Sequence, residues 1–137
     1  MPTPGIDSPG VGAGLVIMRE DGKILPYRRL RPPEAGFWNI VGGKVEHMEP
    51  SAEASRREAE EETGLKIGKV QFLCVAEKII AADRQHWISM IYLTRDFSGD
   101  PLLSEPDKLS DFGWFDPKDP PMPLSAFSLE ALDQLAR

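Results

Sequence analysis

The residues best suited to chemistry in this sequence are the glutamates Glu58, Glu60, Glu61 and Glu62, which stand just before Gly64. In a helix, the i, i+3, i+4 spacing of Glu58, Glu61 and Glu62 puts their carboxylates on one face. Acids in the last turn also meet the negative end of the helix dipole, at a cost of about 0.3 to 1 kcal/mol each. A bound cation would offset this cost, and carboxylate oxygens suit Mg²⁺ or Mn²⁺ rather than zinc.

A cation held in this way favours chemistry on phosphate groups. Such ions neutralise diphosphate oxygens, orient the substrate and lower the pKa of a bound water that can attack phosphorus. The predicted reaction is therefore hydrolysis of a phosphoanhydride. The competing interpretation is a solvated helix face supported by local ion pairs, such as Glu53 with Arg57 and Arg56 with Glu60.

Two predicted elements position the acids. Residues 51–63 contain good helix formers throughout, and Gly64 is a suitable stop, so the pattern predicts a helix. Residues 37–41 are a short apolar stretch that runs into Gly42 and Gly43, which predicts a strand followed by a tight, permissive turn.

The other segments predict a mixed α/β (α+β) fold in one domain, residues 1–137. Residues 1–10, rich in proline and glycine, are expected to be loose. Asp21 and Gly22 predict a hairpin turn, after which residues 23–30 return antiparallel to the first strand. Strands are expected at 11–18, 70–77, 87–94 and 111–116. The C-terminal helix is expected to bury a face made of Leu129, Leu132, Leu135 and Ala136.

The spacing of the acids extends into a longer pattern. Glycine, five residues, glutamate, seven residues and then ArgGluAlaGluGluGluThrGlyLeu span residues 43–65. This pattern resembles the Nudix box, whose fixed positions are met by Gly43, Glu49, Arg57, Glu58, Glu61, Glu62 and Gly64. The resemblance implies the Nudix fold, a mixed β-sheet sandwiched between helices. The departures, none of which removes an acid, are Ala59 for a larger aliphatic residue, Val41 for a common proline and Met48 for a common glycine.

The resemblance also assigns a metal site. In the family, glutamates at the positions of Glu58, Glu61 and Glu62 hold the metal, and the carbonyl at the position of Gly43 often helps. The implied cofactor is Mg²⁺ or Mn²⁺. Glu60 is expected to point away, into solvent or toward Arg56.

Further catalytic roles follow from the same resemblance. Arg57 is expected to pair with Glu49 and tie the loop to the helix. The general base varies among members and is either a box glutamate or an acid on a later loop. The residues expected to be catalytic are Glu58, Glu61, Arg57 and Glu105, the last as the candidate acid on the later loop, with Asp107 and Asp111 behind it.

Substrate contacts are predicted from charged and aromatic side chains. The predicted substrate-binding residues are Arg29, Lys44, Glu46 and Glu49. Arg29 and Lys44 could grip phosphate, although solvated basic side chains are the commoner case. Phe37, Trp38, Trp87 and Trp114 could stack on a base, but aromatic residues in β-rich runs more often belong to the core.

Three activities remain open. The short domain and the run from Glu105 to Phe115 look similar to family members that convert nucleoside triphosphates to monophosphates and pyrophosphate. The main enzymatic alternative is hydrolysis of ADP-ribose or a nucleotide sugar. The alternative of another class is a Nudix module that binds a nucleotide without cleaving it.

Composition limits the partners. A net charge of −6 and a pI near 4.9 argue against a nucleic-acid polymer and leave a small nucleotide as the expected partner. No signal peptide or membrane span of about 20 apolar residues is evident, so no membrane partner is expected. A single cysteine, Cys74, expected to be buried, agrees with the cytoplasm. His47 and His86 give no support for a zinc site. Homodimers are common in the family, and a homodimer is an expectation without a signal in this sequence.

Overall fold

Strands dominate the structure, a computed structural model that describes residues 2–137. The elements, in chain order, are β1 (Gly10–Ile17), β2 (Tyr27–Arg29), β3 (Trp38–Asn39), β4 (Val41–Lys44), α1 (Ser51–Thr63), β5 (Lys66–Ile67), β6 (Gln71–Ile80), a 3-10 turn (Ala81–Asp83), β7 (Gln85–Thr94), β8 (Phe97–Ser98), β9 (Leu109–Phe112) and α2 (Ala126–Leu135). The predicted mixed α+β class is confirmed.

The central sheet has four strands in the order β4-β1-β7-β6. Strand β1 is parallel to β7 and antiparallel to β4, while β6 and β7 form a long hairpin. Strand β4 therefore lies at one edge of this sheet. Two smaller sheets, β3-β2-β9 and β5-β8, complete the strand pairing among the described residues.

Alternate residues of β1 point into two separate cores. Leu15 and Ile17 belong to the cluster that includes Ala59 of α1, whereas Val16 belongs to the cluster that includes Ala131 of α2. This follows from the two-residue period of a strand. Full burial of such a side chain contributes about 1.5 to 3 kcal/mol, so each face of β1 stabilises one of the two cores. Helix α1 packs on β1 and β4, whereas α2 packs on β6.

Helix α1 matches the predicted residues 51–63. It ends at Gly64, whose φ of 76° is left-handed and whose N–H donates to the carbonyl of Glu60. The buried face predicted for the C-terminal helix was partly wrong. Helix α2 begins at Ala126, buries Ser128 and Ala131, and leaves Leu129 56% exposed. Leu132 and Leu135 do pack on the core.

The predicted hairpin return over residues 23–30 was wrong beyond its first residues. Met18 and Ile24 form a single antiparallel bridge, and the N–H of Leu25 donates to Ile17. Pro26 then follows, and proline has no N–H with which to continue the ladder. The chain turns away, and β2 pairs with β3 and β9 instead of β1.

Other strand boundaries also differ from the predictions. The strand expected at 37–41 is split into β3 and β4, which belong to different sheets, with Ile40 between them. The strand expected at 111–116 is β9, which begins earlier, at Leu109. Strands β6 and β7 extend the runs predicted at 70–77 and 87–94. The two-residue strands β5 and β8 are too short for a hydrophobic period to reveal.

Within the N-terminal segment, residues 3–8 form a hydrogen-bonded turn. The backbone N–H of Gly5 donates to the carbonyl of Ser8 at 2.7 Å, and the Gly5 carbonyl accepts from His86 of β7 at 2.9 Å. A carboxylate oxygen of Asp7 accepts from the N–H of Thr3. The proline and glycine content therefore serves a specific turn against β7. Met1 lies outside the described residues.

None of the helices described for residues 2–137 is long and apolar enough to cross a membrane.

Candidate active site

Helix α1 brings two of its glutamates against the glycine pair of β4. A Cβ atom added to Gly43 would lie only 2.5 Å from Oε2 of Glu58, so the carboxylate fills the space where a side chain would be. Glu62 accepts a hydrogen bond from the backbone N–H of Gly42 at 3.1 Å. The glycines thus allow α1 to lay Glu58 and Glu62 on the backbone of an edge strand.

Arg57 joins the acids into one network. Its Nε and Nη2 donate to the two carboxylate oxygens of Glu49 at 2.7 and 3.0 Å. Its Nη1 donates to Glu58 at 2.9 Å and to Glu61 at 3.4 Å, and Nη2 also reaches the carbonyl of Lys44. The pairing of Arg57 with Glu49 that the sequence predicted is present, and it ties the loop after β4 to the helix.

Burial and like charges disfavour ionisation of the acids that face the sheet. Burial, with Glu58 and Glu105 nearby, raises the pKa of Glu62 to about 8 despite the hydrogen bond from Gly42. Burial also raises the pKa of Glu58, partly opposed by Arg57. By contrast, the hydrogen bonds from Arg57 lower the pKa of Glu49 to about 2. A further positive charge nearby would stabilise the ionised forms of Glu58 and Glu62, whereas Glu49 is ionised and already paired with Arg57.

The glutamates of this site are not closed around a metal ion. Within residues 2–137, no three acidic, histidine or cysteine side chains are grouped closely enough to close around a metal ion. Glu61, half exposed, is turned toward Arg57 instead of Glu58. Nevertheless, a buried carboxylate at Glu62 and another in the Gly43 cradle are hard oxygen donors of the kind that Mg²⁺ takes. The residues fit such an ion if Glu61 leaves Arg57.

The acid between these glutamates has another role. Glu60 is exposed, and its carboxylate accepts from the backbone N–H of Ile67 at 3.0 Å. The predicted contact with Arg56 is absent, because the Arg56 guanidinium binds Glu53 at 3.1 Å and the carbonyl of Ile67. Glu60 therefore fastens strand β5 to the helix and is separate from the Arg57 network.

The acids of the later loop divide into one near the site and two directed elsewhere. Glu105 is close enough to raise the pKa of both Glu58 and Glu62, and its side chain is 23% exposed. Asp107 instead pairs with Arg31 at 3.2 Å, and Asp111 is exposed beside Ser110. Of these three, only Glu105 is near the glutamates of α1.

A cavity of about 300 Å³ opens on the opposite, α2 side of the sheet. Its floor is strand β1, where Gly10, Gly12 and Gly14 alternate with larger residues. A Cβ atom on Gly12 would lie 2.7 Å from Oγ of Ser89, and one on Gly14 would lie 3.1 Å from Cδ1 of Ile40. The side chains of Ser89 and Ile40 therefore lie directly over the backbone of these two glycines. The lining residues include Gly42, Gly43, Lys44, Arg29, Asn39, Trp87, Ser89, Ile91 and Phe127.

The predicted substrate-binding residues have different surroundings. Lys44 is exposed and lines the cavity at the β4 edge. Arg29 also lines the cavity, but its Nε donates to the carbonyl of Pro33 at 2.8 Å, and burial lowers its pKa. Glu46 is exposed, and its carboxylate lies 3.9 Å from Arg57. Glu49 is bound to Arg57, so neither acid lines the cavity.

Several cavity residues were missed in the sequence analysis. The side-chain oxygen of Asn39 accepts from the hydroxyl of Ser128 at 2.9 Å and also from Ser125, which fixes the amide at the cavity wall. Ser89 and Phe127 gave no separate signal. The period-two glycines of β1 could have revealed the cavity, since they mark one strand face without side chains.

The tryptophans and histidines were predicted as core and surface residues. Trp114 stacks on Phe97 and Trp38 packs edge-on against Phe115, in agreement with the core interpretation. Trp87 differs, because it lines the cavity. His47 is exposed, and His86 is half-buried and lies 2.9 Å from Glu77. Cys74 is buried, as predicted.

Residues 8–135 match the family model described as NUDIX domain. This chain belongs to the Nudix family. Its fold is similar to the crystal structure of a MutT Nudix hydrolase from Burkholderia pseudomallei, with a TM-score of 0.89 and 44% identity, covering 93% of this chain and 98% of that chain. The family resemblance inferred from the Nudix box is thereby confirmed.

Two relatives of this chain differ in the substrates that their names give. The oxidized purine nucleoside triphosphate hydrolase of Danio rerio is 32% identical over 108 residues, 74% of this chain and 64% of its own length. The ADP-ribose pyrophosphatase of Methanocaldococcus jannaschii is 35% identical over 97 residues, 70% of this chain and 57% of its own length. The chain spans less than two thirds of each of these relatives.

Proposed function

We propose that this chain hydrolyses a nucleoside triphosphate to a nucleoside monophosphate and pyrophosphate. The observation that carries the proposal is the position of the acids and the cavity on two sides of one edge strand. Glu58 and Glu62 meet β4 from the α1 side, and the cavity is lined by the same glycines, Gly42 and Gly43. A nucleotide could seat its base and sugar in the cavity and pass its phosphates over this bare edge to the acids.

Mg²⁺ or Mn²⁺ would be held by Glu58, Glu61, Glu62 and the Gly43 carbonyl. When bound, such an ion neutralises phosphate oxygens and makes a coordinated water more acidic. Arg57 would hold Glu49 and Glu58 in place throughout, and Glu61 would exchange its weak contact with Arg57 for the ion. This assignment explains why two acids that resist ionisation are kept at the β4 edge.

Glu105 is the proposed general base. One of its carboxylate oxygens would take a proton from the attacking water as the new oxygen–phosphorus bond forms. The bond between the α-phosphorus and the bridging oxygen would break, and pyrophosphate would leave with that oxygen. Glu105 lies near Glu58 and Glu62 and carries only a weak, 3.5 Å contact to Lys108. Lys44, exposed at the cavity mouth, would contact the phosphates, and Arg29 would act mainly by holding the Pro32–Pro33 wall of the cavity.

The names of related proteins support hydrolysis of a nucleoside triphosphate and one alternative. The Danio rerio relative is named for nucleoside triphosphates, and the Burkholderia neighbour is a MutT protein. The Methanocaldococcus jannaschii relative is named for ADP-ribose, so an ADP-ribose or nucleotide-sugar pyrophosphatase is the second candidate. A non-catalytic nucleotide-binding module is the third, although all four glutamates of the Nudix box are kept in this chain.

A product analysis tests the proposal. The protein would be incubated with Mg²⁺ and separate samples of nucleoside triphosphates, ADP-ribose, nucleotide sugars and dinucleoside polyphosphates. We expect monophosphate and pyrophosphate from a triphosphate, and no turnover after chelation with EDTA. Release of inorganic phosphate alone would contradict the proposed bond, and preference for ADP-ribose would favour the second candidate.

A pair of variants checks the acids. Glu61→Gln should lose hydrolysis, whereas Glu60→Gln should retain it, because Glu60 binds the backbone of Ile67 and is separate from the Arg57 network. The glutamine in Glu60→Gln keeps an oxygen for that bond. Equal activities of the two variants would contradict the metal role of Glu61. A protein inert on all compounds but able to bind nucleotide would be the non-catalytic module.

Four wider expectations accompany this function. We propose that residues 1–137 act as one domain and that the substrate is a small nucleotide. The lone buried Cys74 favours the reducing cytoplasm as the site of action. A homodimer remains a proposal that a sedimentation measurement would test.

A further inference from the structure

The indole of Trp87 packs against the backbone of two glycines. Gly10 is its partner in the β1–β7 ladder, and a Cβ atom added to Gly10 would lie 2.5 Å from the indole ring. Gly5, in the N-terminal turn, is equally close, with its added Cβ only 2.8 Å from Nε1. The six-membered ring therefore packs against two residues that have no side chain, and the indole also lines the cavity.

The polar atom of this indole is already satisfied. Nε1 of Trp87 donates to the side-chain oxygen of Gln85 at 2.7 Å, so the ring needs no further hydrogen bond from a ligand. Next to the indole, the small side chain of Ser89 lies directly over Gly12. The ring can therefore offer apolar contacts to a ligand in the cavity of about 300 Å³, a volume within the range of small-molecule sites.

The other tryptophans are engaged elsewhere. Trp114 stacks on Phe97 at 5.8 Å, and Trp38 meets Phe115 at 5.3 Å. Of the tryptophans in the described residues, only Trp87 lines the cavity. All three tryptophans are half-buried, but the ring of Trp87 packs closely against Gly5 and Gly10, which have no side chains.

We infer that Trp87 is the wall on which the planar base of the substrate stacks, so that binding requires a nucleobase and not only a polyphosphate. The inference rests on the proposed function, because it takes the cavity as the base site of that reaction. Aromatic rings bind bases through their faces, and this contact tolerates different bases. Trp87 therefore selects nucleotides over other phosphoanhydrides, while polar groups such as Asn39 are left to distinguish among bases.

Binding of a non-hydrolysable nucleotide tests the inference without relying on turnover. The α,β-methylene analogues of GTP and ATP would be titrated with Mg²⁺ while tryptophan fluorescence is recorded, and inorganic tripolyphosphate would be titrated in parallel. We expect saturable quenching by at least one nucleotide and much weaker binding of tripolyphosphate. Trp114→Phe should keep the quenching, whereas Trp87→Phe should lose most of it while retaining affinity, measured by calorimetry, within about threefold.

An aliphatic substitution provides the decisive comparison. Trp87→Leu should raise the Kd for the nucleotide by about tenfold and leave the weak Kd for tripolyphosphate unchanged, as expected for the loss of one base-stacking contact. Circular dichroism and thermal unfolding would verify that each variant is folded. If Trp87→Leu is unfolded, Gly10→Ala, which pushes on the ring from below, replaces it and should likewise weaken nucleotide binding.

The outcomes separate this inference from the proposed function. Wild-type affinity in folded Trp87→Leu, or tripolyphosphate binding as tight as nucleotide binding, would overturn the role of Trp87 even if hydrolysis is intact. Absence of quenching by both nucleotides would also overturn it. Trp87-dependent binding in a protein that hydrolyses no substrate would uphold the inference and refute the proposed hydrolysis.

Discussion

Replacing Gly43 with alanine tests the position of the Glu58 carboxylate without removing it. The new Cβ would lie 2.5 Å from Oε2 of Glu58, whereas ordinary contact begins at 3.4 Å, so the carboxylate must retreat by about 1 Å. A displacement of about 1 Å in an active site costs on the order of 100-fold in rate. We therefore expect kcat to fall about 100-fold.

Stability should be affected much less than activity. The Gly43 backbone is not in the left-handed region, and the atoms that must move are at the end of a flexible side chain. The free energy of unfolding should change by less than about 1 kcal/mol. Gly42→Ala is the matched control, because its Cβ would meet the backbone of β1, with Cα of Gly14 at 2.8 Å. That backbone cannot retreat, and overpacking there should cost about 1 to 3 kcal/mol or more.

The assay is pyrophosphate release at saturating Mg²⁺, together with urea unfolding of each variant. The combination of Gly43→Ala with Glu58→Asp should be less harmful than the product of the single effects, because the shorter side chain leaves room for the methyl group. A kcat within threefold of wild type for folded Gly43→Ala would refute the reasoning that Glu58 acts from its position against β4.

Three further substitutions have defined outcomes. Arg57→Lys keeps the charge but loses the bidentate contact with Glu49, so kcat/KM should fall about 10- to 100-fold. Arg56→Lys should remain near wild type. Equal effects of the two substitutions would contradict the role of Arg57 in positioning the acids. Met48 has a φ of 66°, in the left-handed region that favours glycine, and its side chain is 89% exposed. Met48→Gly should therefore raise the free energy of unfolding, measured by urea denaturation, by about 1 kcal/mol. Met48→Ala should not raise it. In Ser128→Ala, the buried N–H of Ile40 loses the hydroxyl oxygen that accepts its hydrogen bond at 2.8 Å. The free energy of unfolding should fall by about 1 to 3 kcal/mol. An unchanged midpoint of urea unfolding would show that the Ile40 amide finds another acceptor.

The parts of the site that were predictable from the sequence are local. Helix α1 has a continuous run of helix formers and a left-handed glycine stop, so its bounds and the shared face of its acids follow from neighbouring residues. The departure at Met48 was also informative, since the left-handed conformation found there is one that glycine adopts cheaply.

The unpredicted parts depend on strand pairing between distant residues. Trp87 lies beside Gly10 and Ser89 beside Gly12 on the sheet face that carries the cavity, and neither register can be read from a single segment. The predicted hairpin was wrong for a related reason, since Pro26 ended the ladder and released β2 to pair with β9. The N-terminal turn is another such case, since the Gly5 carbonyl accepts from His86 of β7, which is distant in sequence.

The division of β1 into two faces has a consequence for how this protein could change. Leu15 supports the helix that carries the acids, whereas the glycines on the opposite face make room for the cavity. If the cavity holds the base as proposed, substitutions there would alter ligand choice while the core behind Glu58 and Glu62 stays intact. New substrate specificities could therefore evolve through substitutions on one side of the sheet. The α2 side is for the same reason the place to redesign selectivity.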